Sequence, residues 1–140
     1  MSPLPAQDSS DLRDLVHRYA AYADDRALDD LAGLFAVDGV LVTPAGTHEG
    51  REAIRLHLSA LDRVETTQHL VAGEVFDATG TDEAVGRVTA EAHHLTGGHD
   101  HVWHLVYRDR YVRRDGRWLF ALRTIDLRAT EDRDGVPHPG

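Results

Sequence analysis

The stretch AEAHHLTGGHDHVWH, residues 90–104, carries His93, His94, His99, His101 and His104, half of the chain's ten histidines. Imidazole is the side chain whose charge changes nearest neutral pH. A cluster of this kind can act as general acid and base, or as ligands to zinc, copper or iron. Where each ring points decides between them. Strand alternation puts Ala84, Gly86, Val88, Ala90, Ala92 and His94 on one face, and Arg87, Glu91 and His93 on the other. The first face is small and apolar and is predicted to be buried, with His94 at its end; the second is wetter. A tight turn at Gly97-Gly98 sets His94 opposite His101, Ala92 opposite Trp103, Ala90 opposite Leu105 and Val88 opposite Tyr107, small against large. His94, His99 and His101 then share a face, while His93 and His104 lie on the other. Three same-face imidazoles raise a metal site, but such a site needs converging ligands fixed by further hydrogen bonds. The sequence reads instead as a partly solvated hairpin tip with His99 and His101 exposed, and no metal is expected. His48, His57 and His138 read as turn, helix-surface and tail residues without a role.

The elements that must position these rings follow from periodicity. Leu12, Leu15, Val16, Tyr19 and Ala23 fall at helical spacing behind a Ser/Asp cap near Ser10. Leu28, Leu31, Leu34 and Phe35 form the apolar face of a second helix, and Ile54, Leu58 and Leu61 that of a third. VDGVLVTPAGTHEG between them reads as short strands with turns. After residue 65 the period becomes two, giving strands over 67–77, 84–95, 101–112 and 117–127 with turns at Gly80, Gly97-Gly98 and Asp115-Gly116. Helices followed by an antiparallel meander define an α+β fold, with helices closing a curved sheet into a cone around an apolar pocket. Residues 1–9 and 129–140 read as polar tails around one domain, 10–128.

Composition limits the chemistry. At 140 residues, 41% hydrophobic and 28% charged, the chain is the size and kind of one globular domain. It has no cysteine, which excludes disulfides, thiolate zinc sites, iron–sulfur clusters and cysteine nucleophiles. A net charge of -9 disfavours nucleic acid, and the only basic stripe, Arg108, Arg110, Arg113 and Arg114, is interrupted by Asp109 and Asp115. No phosphate-cradling glycine motif is present, so no bound nucleotide is indicated. The N-terminus lacks the pattern of a signal peptide, and no apolar run approaches the roughly 20 residues of a membrane span. A cytoplasmic protein without membrane contact is expected.

The segments YAAYADDRALDDLAGLFAVDGVL, EGREAI, TTQHLV and YRDRYVRRDGRWLFALRTIDL, in that order, resemble the SnoaL-like domains of the nuclear-transport-factor-2-like superfamily across residues 10–128. That family includes polyketide cyclases, scytalone dehydratase, a bile-acid dehydratase, ketosteroid isomerase relatives and non-catalytic subunits. Its dehydratases place a tyrosine and an aspartate at the end of the first helix and a histidine on the first long strand, which Tyr19, Asp24 and His69 match. His94 matches a second pocket histidine of scytalone dehydratase. The match is incomplete: Ala23 stands where that enzyme has a pocket tyrosine, and no residue matches the later aspartate of the bile-acid enzyme. Family habit also implies a homodimer through the outer sheet face.

Each of these residues has a plainer reading. His69 could be a satisfied core histidine, Asp24 a helix-end cap, and Tyr19 and Tyr22 core aromatics. The resemblance favours a pocket role, in which Asp24 fixes the His69 tautomer and His69 takes a proton alpha to a carbonyl. Tyr19 and His94 would hydrogen-bond the oxygen where charge develops. Tyr22, Trp103, Tyr107 and Phe120 are expected on the substrate wall, with Trp118 in the wall or core, and Asp109 and Arg123 behind it, paired with each other or with solvent. The sequence therefore predicts a cofactor-independent lyase or isomerase acting on a small apolar carbonyl compound such as a polyketide, terpenoid or steroid-like molecule. Its rival is a non-catalytic binding or scaffold domain of the same fold, in which His69 and Asp24 would lie apart or be paired elsewhere.

Overall fold

The computed structural model describes residues 3–137, so His138 lies outside the described residues. Helix α1 (Ala6–Asp24) buries Leu12, Leu15, Val16, Tyr19 and Ala23, the stripe that the spacing predicts. It begins behind Pro5 without a side-chain cap, earlier than the expected Ser10 start, so part of the supposed tail is helix. Its first turn is anchored from across the fold: Asp8 accepts from Arg113 Nη1 at 2.7 Å and from Trp118 Nε1 at 3.3 Å.

Helix α2 (Leu28–Ala32) is shorter than its apolar spacing suggests, because Phe35 opens strand β1 (Phe35–Thr43) and pairs there with Phe120. Strand pairing overrides a helical pattern of only a few residues. Strand β2 (Gly46–Glu49), helix α3 (Arg51–Leu58) and a 3-10 turn (Ser59–Arg63) lead into β3 (Thr66–Ala78), β4 (Glu83–Thr96), β5 (His99–Arg114) and β6 (Arg117–Arg133). The sheet order is β2-β1-β6-β5-β4-β3; β1 and β6 run parallel and every other pair antiparallel. Register shifts in β3 near Val71 and in β5–β6 near His104 and Arg110 are bulges that bend the sheet around α1 into a cone. Among the described residues no helix is long and apolar enough to cross a membrane.

The β4–β5 register is the predicted one, with His94 opposite His101, Ala92 opposite Trp103, Ala90 opposite Leu105 and Val88 opposite Tyr107. Val88, Ala90 and Ala92 join Leu12, Leu15, Tyr19 and Leu31 in one core. The last strand departs from expectation. The sequence pattern makes 129–133 tail, yet β6 continues to Arg133, pairing Thr130 with Trp103 and Asp132 with His101. This end of the strand is exposed and polar, so it carries no burial signal. Backbone pairing and the histidines of β5 hold it.

Candidate active site

Asp24 ends α1 at the wall of the cone, and His69 lies on β3 two residues after Thr67, on the same strand face. The two side chains meet: His69 Nδ1 is 2.6 Å from Asp24 Oδ1, while the His69 backbone N–H donates to Oδ2 at 2.9 Å. Thr67 Oγ1 donates to Oδ1 at 3.0 Å and receives Arg26 Nη1 at 2.6 Å. Arg26 also bonds the carbonyls of Ala23 and Val64, tying the end of α1 to the start of β3. Burial pushes the Asp24 carboxyl upward, but the bonds from the His69 ring, the His69 N–H and Thr67 outweigh it and hold the pKa below its ordinary value. An ionised Asp24 can only accept, so Nδ1 of His69 carries a hydrogen, and in the neutral ring the lone pair is then on Nε2. This is the tautomer a general base requires.

His69, but not Asp24, lines a cavity of about 240 Å³ whose wall also includes Tyr19, His94, Trp103, Leu105, Tyr107 and Ile125. The His94 ring stands 6.2 Å from that of His69 and 5.6 Å from Trp103. Its Nδ1 is 2.9 Å from the His101 carbonyl, a bond that can run only from N–H to oxygen. Burial, with smaller effects of the neighbouring imidazoles, lowers the His94 pKa and keeps the ring neutral. A neutral His94 therefore accepts at Nε2; the donor role expected of it requires the protonated ring. Burial raises the pKa of Tyr19 and of Tyr107, which leaves both phenols protonated and able to donate.

The other expected wall residues divide. Trp103 and Tyr107 line the cavity. Tyr22 does not: it borders a separate polar hollow with Asp14, Arg18 and Trp118, and its hydroxyl accepts from Arg18 Nη1 at 3.0 Å. At 3.6 residues per turn Tyr22 lies about 60° round the helix from Tyr19, on the flank of the stripe, where it is only partly buried against the edge of the core. Phe120 is fully buried against Phe35 at 5.1 Å and belongs to the core beneath the cavity. Asp109 and Arg123 pair with each other, Nε to Oδ1 at 2.9 Å, and the guanidinium lies 3.6 Å from the Tyr107 ring centre and 4.3 Å from that of Tyr19.

Sequence reasoning missed Arg26, Thr67 and His57. Thr67 was discoverable, because it shares the His69 face at a spacing of two. Arg26 was not, since it reaches the site from a left-handed turn at φ 57°. His57, expected on the surface of α3, lines the cavity and stacks on His48 with ring centres 3.9 Å apart. Burial and the neighbouring His48 lower its pKa.

A helix-capped, strongly curved sheet enclosing a small apolar cavity, with an aspartate-bound histidine in its wall, defines a class of small α+β proteins. The sequence profile of the SnoaL-like domain matches residues 5–124, and the chain belongs to that family. Among curated proteins no sequence matches it significantly. Solved structures with the same fold include the hexachlorocyclohexane dehydrochlorinase LinA-type3 of Novosphingobium barchaimii, 19% identical, covering 96% of this chain and 95% of that one with a TM-score of 0.85. A protein of Novosphingobium aromaticivorans, provisionally assigned as a scytalone dehydratase, is 24% identical over 93% of this chain and 92% of its own, with a TM-score of 0.83. Aln2 of a Streptomyces species is 17% identical over 91% and 94% of the two chains, with a TM-score of 0.78. Identities this low establish a shared fold, one that carries lyase-type enzymes.

Proposed function

We propose that this protein is a cofactor-independent lyase or isomerase acting on a small, mostly apolar carbonyl compound. The observation that carries the reading is the 2.6 Å contact of His69 Nδ1 with Asp24 beside an apolar cavity. A scaffold that merely filled or dried the cone would have no use for an imidazole held in the base tautomer there. His69 Nε2 takes a proton from the carbon alpha to the carbonyl, and the electron pair moves onto the carbonyl oxygen. Tyr19 donates to that oxygen as charge develops. If a beta-hydroxyl is present, the enolate pair returns to expel it, and the proton held by His69 leaves with it as water. If none is present, the proton returns to another carbon and the product is an isomer. Attack of the enolate carbon on a second carbonyl closes a ring. Neutral His94 accepts a hydrogen bond from a substrate hydroxyl in this scheme. The names of the solved relatives, a dehydratase and a dehydrochlorinase, support elimination as the outcome.

All three outcomes share the first step, so the test is exchange of the alpha hydrogen. A panel of apolar ketones and beta-hydroxy ketones in deuterium oxide, followed by NMR, is expected to show enzyme-dependent deuterium uptake. His69→Ala should lower its rate by a factor of roughly a hundred or more, with Asp24→Asn costing somewhat less and leaving ligand binding largely intact. Exchange by His69→Ala at nearly the parent rate would remove His69 as the base.

A further inference from the structure

The hairpin tip holds a second group of imidazoles and carboxylates that the cavity chemistry does not use. His99 and His101 are two apart on β5 and project from one face, and Asp132 stands directly across from His101 on β6. Asp132 Oδ1 lies 2.9 Å from His99 Nε2 and 2.7 Å from His101 Nδ1. One ligand atom from each of the three residues falls within 4.8 Å of the others. The second nitrogen of His99, Nδ1, is 2.7 Å from Asp134 Oδ1. A carboxylate on the far nitrogen, with the near nitrogen converging on other donors, is how a metal-binding imidazole is oriented.

We propose that His99, His101 and Asp132 form a site for a divalent transition cation, zinc foremost, with Asp134 positioning His99. Two imidazoles and one carboxylate suit zinc, nickel or copper rather than calcium or magnesium, which prefer all-oxygen cages. Zinc bonds of about 2.0–2.1 Å in tetrahedral geometry set ligand atoms roughly 3.3 Å apart. Opening the two imidazole–carboxylate contacts to that spacing takes a few tenths of an ångström. Side chains that are 42%, 43% and 58% exposed have the freedom to do so, and their exposure leaves a coordination position for water. His94, expected to share this cluster, is occupied by the His101 carbonyl instead, and Asp132 takes its place. The expectation of no metal rests on the need for converging ligands fixed by further hydrogen bonds, and with residues 129–140 read as tail Asp132 and Asp134 do not enter that count. The bound cation would cross-link β5 to the end of β6. It would do so beside a hollow lined by His99 and His101 that shares Val64, His94 and Trp103 with the cavity.

Calorimetric titration of the tag-free full chain with zinc chloride is expected to show one saturable equivalent, accompanied by a rise in melting temperature. His99→Ala and Asp132→Asn should each weaken binding at least tenfold and abolish that rise. Asp134→Ala should weaken it by about 10–100-fold, the usual effect of an orienting partner. His104→Ala is the control. It removes an imidazole of the same hairpin that faces the other way and bonds Glu131, and it should bind zinc as the parent does. Circular dichroism verifies that each variant is folded. The proposal is overturned if the parent takes up no zinc at millimolar concentration. Undiminished binding in folded His99→Ala and Asp132→Asn overturns it equally, as does an equal loss in His104→Ala.

Discussion

Asp109 and Arg123 lie beneath the cavity with side chains 0% and 1% exposed, so replacing one of them tests how the cavity floor is held. The guanidinium gives two bonds to the carboxylate, at 2.9 and 3.2 Å, and Tyr111 adds a third at 2.7 Å. Nη1 of Arg123 is buried without a hydrogen-bond partner, in a cation packed among the rings of Tyr19, Tyr107 and Phe120. Asp109→Asn keeps the shape and removes the charge. Arginine cannot discharge by losing a proton, so the variant must bury an uncompensated cation at a cost of about 3–5 kcal/mol. Against a typical domain stability of about 5–15 kcal/mol that is a large loss. With an m-value of about 2 kcal/mol/M, it lowers the urea midpoint by about 2 M.

The reverse substitution, Arg123→Met, should cost less. Burial already pushes the Asp109 carboxyl upward, opposed by Arg123 and Tyr111, and without the guanidinium it escapes by taking a proton. Its folded pKa then lies above the unfolded one, so the stability of this variant relative to the parent should fall as pH rises toward that folded value. Asp109→Leu with Arg123→Met should return close to the parent, as matched apolar replacements of buried ion pairs do. Urea unfolding followed by tryptophan fluorescence measures all three. An Asp109→Asn variant within about 1 kcal/mol of the parent would refute the reasoning, as would an Arg123→Met variant less stable than it at pH 6.

Gly86 and His93 give two further tests. A Cβ on Gly86 would stand 2.5 Å from Tyr111 Oη and 2.8 Å from its ring, so Gly86→Ala should displace the hydroxyl that serves Asp109 and cost about 1–3 kcal/mol in urea unfolding. His93 loses hydration on burial, but Asp100 at 2.7 Å and Glu91 at 3.2 Å more than compensate and raise its pKa. That stabilisation is fully present below the unfolded value of about 6.5 and is lost as pH rises through the folded one. His93→Gln should therefore be more destabilising at pH 5.5 than at pH 8.5. Equal penalties at the two pH values would mean that the ion pairs do not form.

The legible parts of this fold are those where burial imposes a period. The inward face of β4 alternates small apolar residues, and a one-residue slip would have buried Arg87 and Glu91, so the pairing of His94 with His101 follows from residue pattern alone. The stripe of α1 is equally explicit. Where side chains are solvated on both sides the pattern carries no information, and there the end of β6 passes for tail. Phe35 shows the opposite failure: an apolar residue at helical spacing that a parallel strand partner claims. In the site, the residue types came from the resemblance and the geometry from the structure. Tyr22 and Phe120 were misplaced because an aromatic ring near a pocket in sequence need not face it in space. Arg26 could not be found, since its reach depends on a left-handed turn.

Strand parity and distance from the rim together divide the histidines of β3, β4 and β5. On β3 and β4, His69 and His94 point into the cone, where the nearest polar groups are the end of α1 and a backbone carbonyl. The partners there orient each ring through Nδ1. His93 and His104 point to the opposite face, and His99 and His101 stand beyond the rim. Each of these four is matched to a carboxylate: Asp100, Glu131, or the Asp132 and Asp134 pair. The carboxylates beside His93 and His99 raise the pKa of those rings, whereas a proton-abstracting base needs one nitrogen open to substrate, with its carboxylate on the other, as Asp24 is on His69 Nδ1. On β4, strand parity separates the two settings by a single residue along the chain, between His93 and His94.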